Sequence, residues 1–133
     1  MNLFAGKVIQ GEKLGRQIGF PTANIDGKQF SKIKPQPQWG VYAGLVLLPN
    51  QLIYPAGIVI GPADTKGEPK LEAHLIGFFG DLYDQNIGFL IIKFLRPYQS
   101  FSSLIVLKKQ IKKDLAATKK IIKPYLEHYV TTH

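Results

Sequence analysis

Apolar and polar positions alternate in short blocks along most of this chain. Phe4 to Ile9, Val41 to Leu48, Leu52 to Ile60, Leu71 to Phe78 and Ile87 to Leu95 are brief runs rich in branched or aromatic residues. Gly, Pro, Asp or Asn separates them, which is the pattern of strands bounded by turns. Pro49-Asn50 divides two runs closely enough for a hairpin, and Asp84-Gln85-Asn86 leads into another strand. Within 71–78 the alternation places Leu71, Ala73 and Leu75 on one side and Glu72 and His74 on the other. Residues 89–95 are apolar except for Lys93, as expected of a strand buried on both faces.

Two regions depart from this rhythm. Residues 10–40 are rich in Gly, Pro, Gln and Lys, with breakers at Pro35 and Pro37, and read as long loops. Loops of that length in a compact domain are usually functional. Near the C-terminus the period changes. Leu104, Leu107, Ile111, Leu115 and Ile122 fall on one helical face, Ser102 or Ser103 can cap the start, and Pro124 ends the pattern. The expected architecture is mainly β: a small antiparallel barrel over about residues 4–100, then one amphipathic helix over about 103–123. Closure into a barrel removes sheet edges and gives some six short strands a common core.

Composition narrows the class. A length of 133 residues fits a single domain, residues 1–133, and 45% hydrophobic side chains fit a globular one. Mean hydropathy is −0.01, and no apolar run approaches the ~20 residues of a membrane-spanning helix. The first residues lack the basic head and apolar core of a secretory signal. With no cysteine, disulfides, thiolate metal sites and cysteine nucleophiles are excluded. A cytoplasmic domain with no membrane partner is expected.

The formal charge of +8 admits a nucleic acid, an acidic surface or an anionic small substrate. Its location favours a bland origin. Residues 102–133 hold seven lysines against Asp114 and Glu127, and six of them come in pairs between apolar positions, as on a solvated helix face. No aromatic interleaves the lysines of 102–123 to stack bases, so nucleic acid is not favoured.

Three places carry candidate chemistry. Gly11, Gly15 and Gly19, with Lys13 and Arg16 among them, would let backbone N–H groups and cations approach phosphate oxygens. The alternative is an ordinary flexible loop, and neither common phosphate-loop spacing is present. Pro21 disfavours helix before it, so Phe20 to Asn24 should be extended, with Thr22 and Asn24 on one side. Two neutral oxygens so placed suit Mg²⁺ that keeps waters and leans on phosphates; they also suit a turn in which both side chains bond backbone. Glu72 could serve as general base toward a hydroxyl, or be an outward glutamate opposite the core. His74, which shares its face, has no second histidine at ligand spacing.

Taken in order, these residues resemble a known family. Gly6-Lys7-Val8, Gly11 to Asn24, Gly40-Val41-Tyr42-Ala43, Leu71-Glu72-Ala73-His74, Asp81-Leu82-Tyr83 and Leu95-Arg96-Pro97 with Phe101 and Leu104 are similar to the riboflavin kinase (flavokinase) family. The likeness extends over about residues 4–120, and Gly-Arg-x-x-Gly-Phe-Pro-Thr-Ala-Asn is its most specific part. It implies a six-stranded antiparallel Greek-key barrel with a C-terminal helix. It also implies phosphoryl transfer from ATP to the riboflavin 5′-hydroxyl, giving FMN and ADP, with Mg²⁺ as cofactor. By the same likeness Glu72 would be the catalytic base, and Thr22 and Asn24 the metal positions. Gly11, Lys13, Gly15, Arg16, Gly19, Pro21 and Thr22 would bind nucleotide, Tyr83 would lie on the adenine side, and Arg96 near the flavin.

The chain departs from the family pattern at Gly57 to Thr65, where an Asn and a Pro-Thr pair are missing from a loop that shapes the substrate cleft. Bacterial members commonly carry an adenylyltransferase domain before the kinase. Here the motif begins within the first residues, so such a domain, or a separate FAD synthetase, is the expected partner. Two other readings stand beside the enzyme: a non-catalytic flavin- or nucleotide-binding barrel, and a nucleic-acid-binding barrel using the lysine-rich helix.

Overall fold

The computed structural model describes residues 2–9, 22–28, 30–63 and 67–132. Six strands form a closed barrel: β1 (Asn2–Ile9), β2 (Ala23–Ile25), β3 (Gly40–Leu47), β4 (Ile53–Ala63), β5 (Pro69–Leu75) and β6 (Asn86–Pro97). Their order around the barrel is β1-β2-β5-β4-β3-β6, and β6 closes it by pairing antiparallel to β1. Strands β3, β4 and β5 follow one another, and β6 returns to lie beside β3, which is a Greek key. A 3-10 turn at Phe30–Lys32 follows β2. One helix, α1 (Leu104–Thr132), packs against β3 and β4 from outside.

Alternation along the strands creates two cores. Inside the barrel, Val8, Ile25, Val46, Ile58, Leu71, Ala73 and Phe89 pack together, with Phe30 and Phe4 stacked edge-on at 5.1 Å. Outside, Ala43 and Leu45 of β3 meet Ile122 of α1, joined by Leu90, Ile92, Leu95 and Leu126. Strand β3 is therefore enclosed on both faces over residues 40–46. Strand β6 is enclosed only up to Ile92, and Lys93 and Phe94 are exposed. The apolar run of 89–95 thus marks cover by a helix for part of its length.

Three expectations need correction. The helix does not end before Pro124; it runs on to Thr132 with the proline inside it. The missing N–H costs one backbone bond, but beyond it Leu126 reaches the apolar patch around Ala43 and Leu45, which gives the last turns a reason to stay helical. The stretch 10–40 is not wholly loop, because β2 and the 3-10 turn lie within it. β4 and β6 extend past their apolar runs, to Ala63 and Pro97, and β5 stops at Leu75. No helix among the described residues is long and apolar enough to cross a membrane.

Candidate active site

A cleft of about 250 Å³ opens between the outer faces of β4 and β5 and the start of α1. Strand β5 supplies its polar wall. Leu71 and Ala73 point into the barrel, so Lys70, Glu72 and His74 point out of it into the cleft. The opposite wall is apolar, made of Leu107, Ile111 and Leu115 of α1 with Phe101 before the helix, while Val41 and Val59 stand in line with Glu72 across the barrel face. Two glycines make room. A Cβ at Gly61 would lie 2.8 Å from the Tyr98 ring, and one at Gly57 would lie 3.3 Å from Leu115.

Glu72 is outward-facing, as the alternation requires, yet only 17% of its side chain is exposed. Its Oε1 lies 3.2 Å from Lys70 Nζ and its Oε2 lies 3.7 Å from His74 Nε2. Burial pushes the carboxyl up, but the His74 imidazole and the Lys70 charge outweigh it and hold Glu72 below its ordinary value of 4.5. At neutral pH it is a carboxylate, ready to accept a proton.

Asn24 pairs across the sheet with Glu72, and Ala23 with Ala73. Directly opposed residues share a face, so Asn24 stands on the Glu72 side while Ala23 and Ile25 enter the core. Thr22, one step before β2, lines the cleft; Asn24 does not. Neutral oxygens beside one carboxylate fit a cation that keeps most of its waters and takes other ligands from phosphate. No group of three His, Cys, Asp or Glu that could cage a metal occurs among the described residues.

Arg96 also lines the cleft, but its charge is already engaged. Nε and NH2 donate to both carboxylate oxygens of Asp114, at 2.9 to 3.2 Å, while NH1 donates to Pro97 O. The guanidinium carbon lies 5.7 Å from the centre of the Phe101 ring. Gln110 donates to Asp114 from the preceding helical turn, and Asp114 is only 8% exposed. This network fastens the end of β6 to α1 and fixes the width of the cleft. Its anchor, Asp114, escaped the sequence reading. The signal was present, since Asp114 and Thr118 interrupt the apolar stripe between Ile111 and Ile122. Both are buried, with the Thr118 hydroxyl donating to the Asp114 carbonyl.

Tyr83 lies away from the cleft, in an exposed turn where its N–H donates to Asp81. That turn is pinned to β1 by Asp84 N–H donating to Val8 O and by an ion pair from Lys7 to Asp84 at 2.9 Å. Tyr83 is therefore near the point where β1 ends. The expected nucleotide-binding positions Gly11, Lys13, Gly15, Arg16, Gly19 and Pro21 lie outside the described residues. The altered segment 57–65 is not a loop as far as Ala63 but part of strand β4, held by pairing with β3 and β5, and Gly57 and Val59 are its residues that line the cleft; Asp64 and Thr65 lie outside the described residues.

Comparison with known proteins agrees with this fold. The model of the riboflavin kinase (flavokinase) family matches residues 2–122. A bifunctional riboflavin kinase/FMN adenylyltransferase of Pseudomonas fluorescens is 39% identical over 123 residues, which is 90% of this chain and 38% of that protein. The chain therefore spans little more than a third of that relative. A riboflavin kinase from Trypanosoma brucei superposes with a TM-score of 0.66 at 28% identity, over 96% of this chain and 83% of its own. A Streptococcus pneumoniae chain named as a macrolide-efflux protein superposes with a TM-score of 0.76 at 27% identity, over 88% of this chain and 38% of its own. From the barrel, the cleft on its outer wall and the match over nearly the whole length, the chain belongs to the flavokinase family of riboflavin kinases.

Proposed function

We propose that the chain transfers the γ-phosphoryl group of ATP to the 5′-hydroxyl of riboflavin, forming FMN and ADP. The observation that carries this reading is the position of Glu72. It is an ionised carboxylate on the cleft wall, beside Thr22 and facing an apolar wall of the kind a flat, largely apolar ring system would occupy. Phosphoryl transfer needs positioning and charge neutralisation more than covalent help, so few groups are required.

In this reading the flavin ring packs between Leu107, Ile111 and Phe101 on one side and the barrel on the other. Its ribityl chain then points toward β5. Glu72 accepts the proton of the 5′-hydroxyl as that oxygen bonds to phosphorus, and the bond between the γ-phosphorus and the bridging oxygen of ADP breaks. Thr22 and Asn24 are the side chains that would hold Mg²⁺. The ion, when bound, neutralises charge building on the phosphate oxygens. Arg96 acts near the flavin as the brace that keeps α1 in place. Gly11, Lys13, Gly15, Arg16, Gly19 and Pro21 would cover the nucleotide, with Tyr83 on the adenine side.

The test is direct: the purified chain is incubated with riboflavin and Mg-ATP, and FMN is separated from FAD. FMN should accumulate and FAD should not, because the family match accounts for one kinase domain over residues 2–122. FMN would then be the substrate handed to an adenylyltransferase, fused or separate. Tight riboflavin binding without turnover would replace this reading with a non-catalytic flavin-binding barrel.

A further inference from the structure

His74 lies two residues beyond Glu72 on the same face of β5, and only 8% of it is exposed. Across the sheet its partner on β4 is Gly57, which has no side chain to fill that place. Carrying the β2–β5 register one step past Ala23 and Ala73 brings Thr22 level with His74. His74 thus has the carboxylate beside it along its own strand and, across the sheet, the residue expected to meet the metal-bound phosphates. One ring nitrogen, Nε2, faces Glu72 Oε2 at 3.7 Å. The other, Nδ1, is buried with no hydrogen-bond partner among the described residues.

That orphan nitrogen decides where the hydrogen sits. A buried N–H without an acceptor is costly, whereas a buried ring nitrogen without a donor forgoes only an acceptor's bond. With only the described residues as partners, a neutral ring would place its hydrogen on Nε2, the atom that faces the carboxylate. Lys70 engages the other oxygen of Glu72.

We propose that His74 is the positioning residue of the Glu72 carboxylate. Its Nε2–H donates to Oε2, fixing the rotation of the carboxylate so that an oxygen lone pair meets the incoming hydroxyl. At 3.7 Å the contact is longer than a formed hydrogen bond, and it closes when substrate orders the cleft, as catalytic contacts commonly do. Leu115 reaches the place where Gly57 has no side chain, and among the described residues Nδ1 has no partner to draw the ring away. The proposal rests on Glu72 being the base, and the variants below separate the two ideas.

The experiment compares His74→Leu, His74→Gln and Glu72→Gln, alone and combined, with kcat and KM measured below each variant's melting temperature. The amide nitrogen of Gln reaches where Nε2 sits, whereas Leu fills the space with no donor. His74→Leu should lower kcat about 10- to 100-fold, the range seen when orienting partners are removed, with KM for riboflavin unchanged. His74→Gln should recover most of that loss. In the Glu72→Gln background His74→Leu should add nothing, because it acts through the carboxylate. Equal kcat for the Leu and Gln variants, or fully additive losses, would overturn the proposal while leaving Glu72 as base. An unimpaired Glu72→Gln would remove the base and this role together. Independently of activity, ¹⁵N spectra of the full chain, with His74→Gln to assign the signal, should show Nε2 protonated. A ring protonated on Nδ1 alone refutes the proposal even where His74→Leu fails to fold.

Discussion

Glu72 combines two properties that usually conflict: it is largely buried, and it is held below its ordinary value of 4.5. Its neighbours at the i−2 and i+2 positions reconcile them, since each brings a nitrogen to one carboxylate oxygen. A carboxyl whose folded value is depressed stabilises the fold fully above its unfolded value, and that contribution disappears as pH falls through the folded value. Wild type should therefore lose stability progressively below about pH 4.5, and Glu72→Gln should show a shallower acid slope. Thermal unfolding from pH 7 to 3 measures this. The same substitution should lower kcat by about 10²–10⁴-fold, the usual worth of a general base, with KM for riboflavin little changed. Thr22→Ala is expected to raise the Mg²⁺ concentration needed for half-maximal activity while the melting temperature holds. A fall in melting temperature with an unchanged metal requirement would return Thr22 to a purely structural place. The facing of Glu72 was legible in the alternation of 71–75. Its burial was not, because the residues set beside it, Asn24 of β2 and Val59 of β4, come from other strands of the barrel.

At the scale of elements, the helix was legible where its period was clean and obscure where polar residues entered it. Asp114 occupies an apolar position because Arg96 arrives from β6 to meet it, and no local pattern encodes a partner eighteen residues away. Removing one member of a buried pair leaves the other charge stranded, which typically costs about 3–5 kcal/mol. Asp114→Ala should lower the melting temperature by about 10 °C or more on that scale. Where the variant remains folded, its KM for riboflavin should rise, because the brace setting the cleft width is gone. Pro124 predicts the opposite sign. It sits exposed inside α1 and forgoes a backbone bond there, so Pro124→Ala should stabilise the helix by up to about 3 kcal/mol. Circular dichroism melts of the two variants against wild type check both signs. Strand β2 was legible only as an extended stretch ending at Asn24, for a related reason: three residues are too few to display a period, and only pairing with β1 and β5 makes them a strand.

Over the whole molecule, barrel and helix contribute one wall each to a shared cleft. A ligand held between them should tie the layers together and stabilise the native state by mass action, by about 2.7 kcal/mol at a hundredfold excess over Kd. Riboflavin should therefore raise the melting temperature of wild type and do so less for Asp114→Ala, as read by thermal shift. The lysines of α1 do not line this cleft. The lysines from Lys108 to Lys123 are exposed along α1, on the side away from the barrel, as the pairing in the sequence implied.

Strand β5 holds core and chemistry on alternate residues, and that arrangement has a bearing on which changes the chain can survive. Deleting Leu71, with the start of the strand held in register, would rotate Glu72 to Leu75 by half a repeat. An acid would then enter an oily interior while alanine or leucine took its place at the mouth. Such an indel could not yield a folded but inactive protein, since whatever turns the carboxylate away also breaks the core. Lineages carrying it would lose the protein altogether, so the chemistry is guarded by the same selection that keeps the barrel folded.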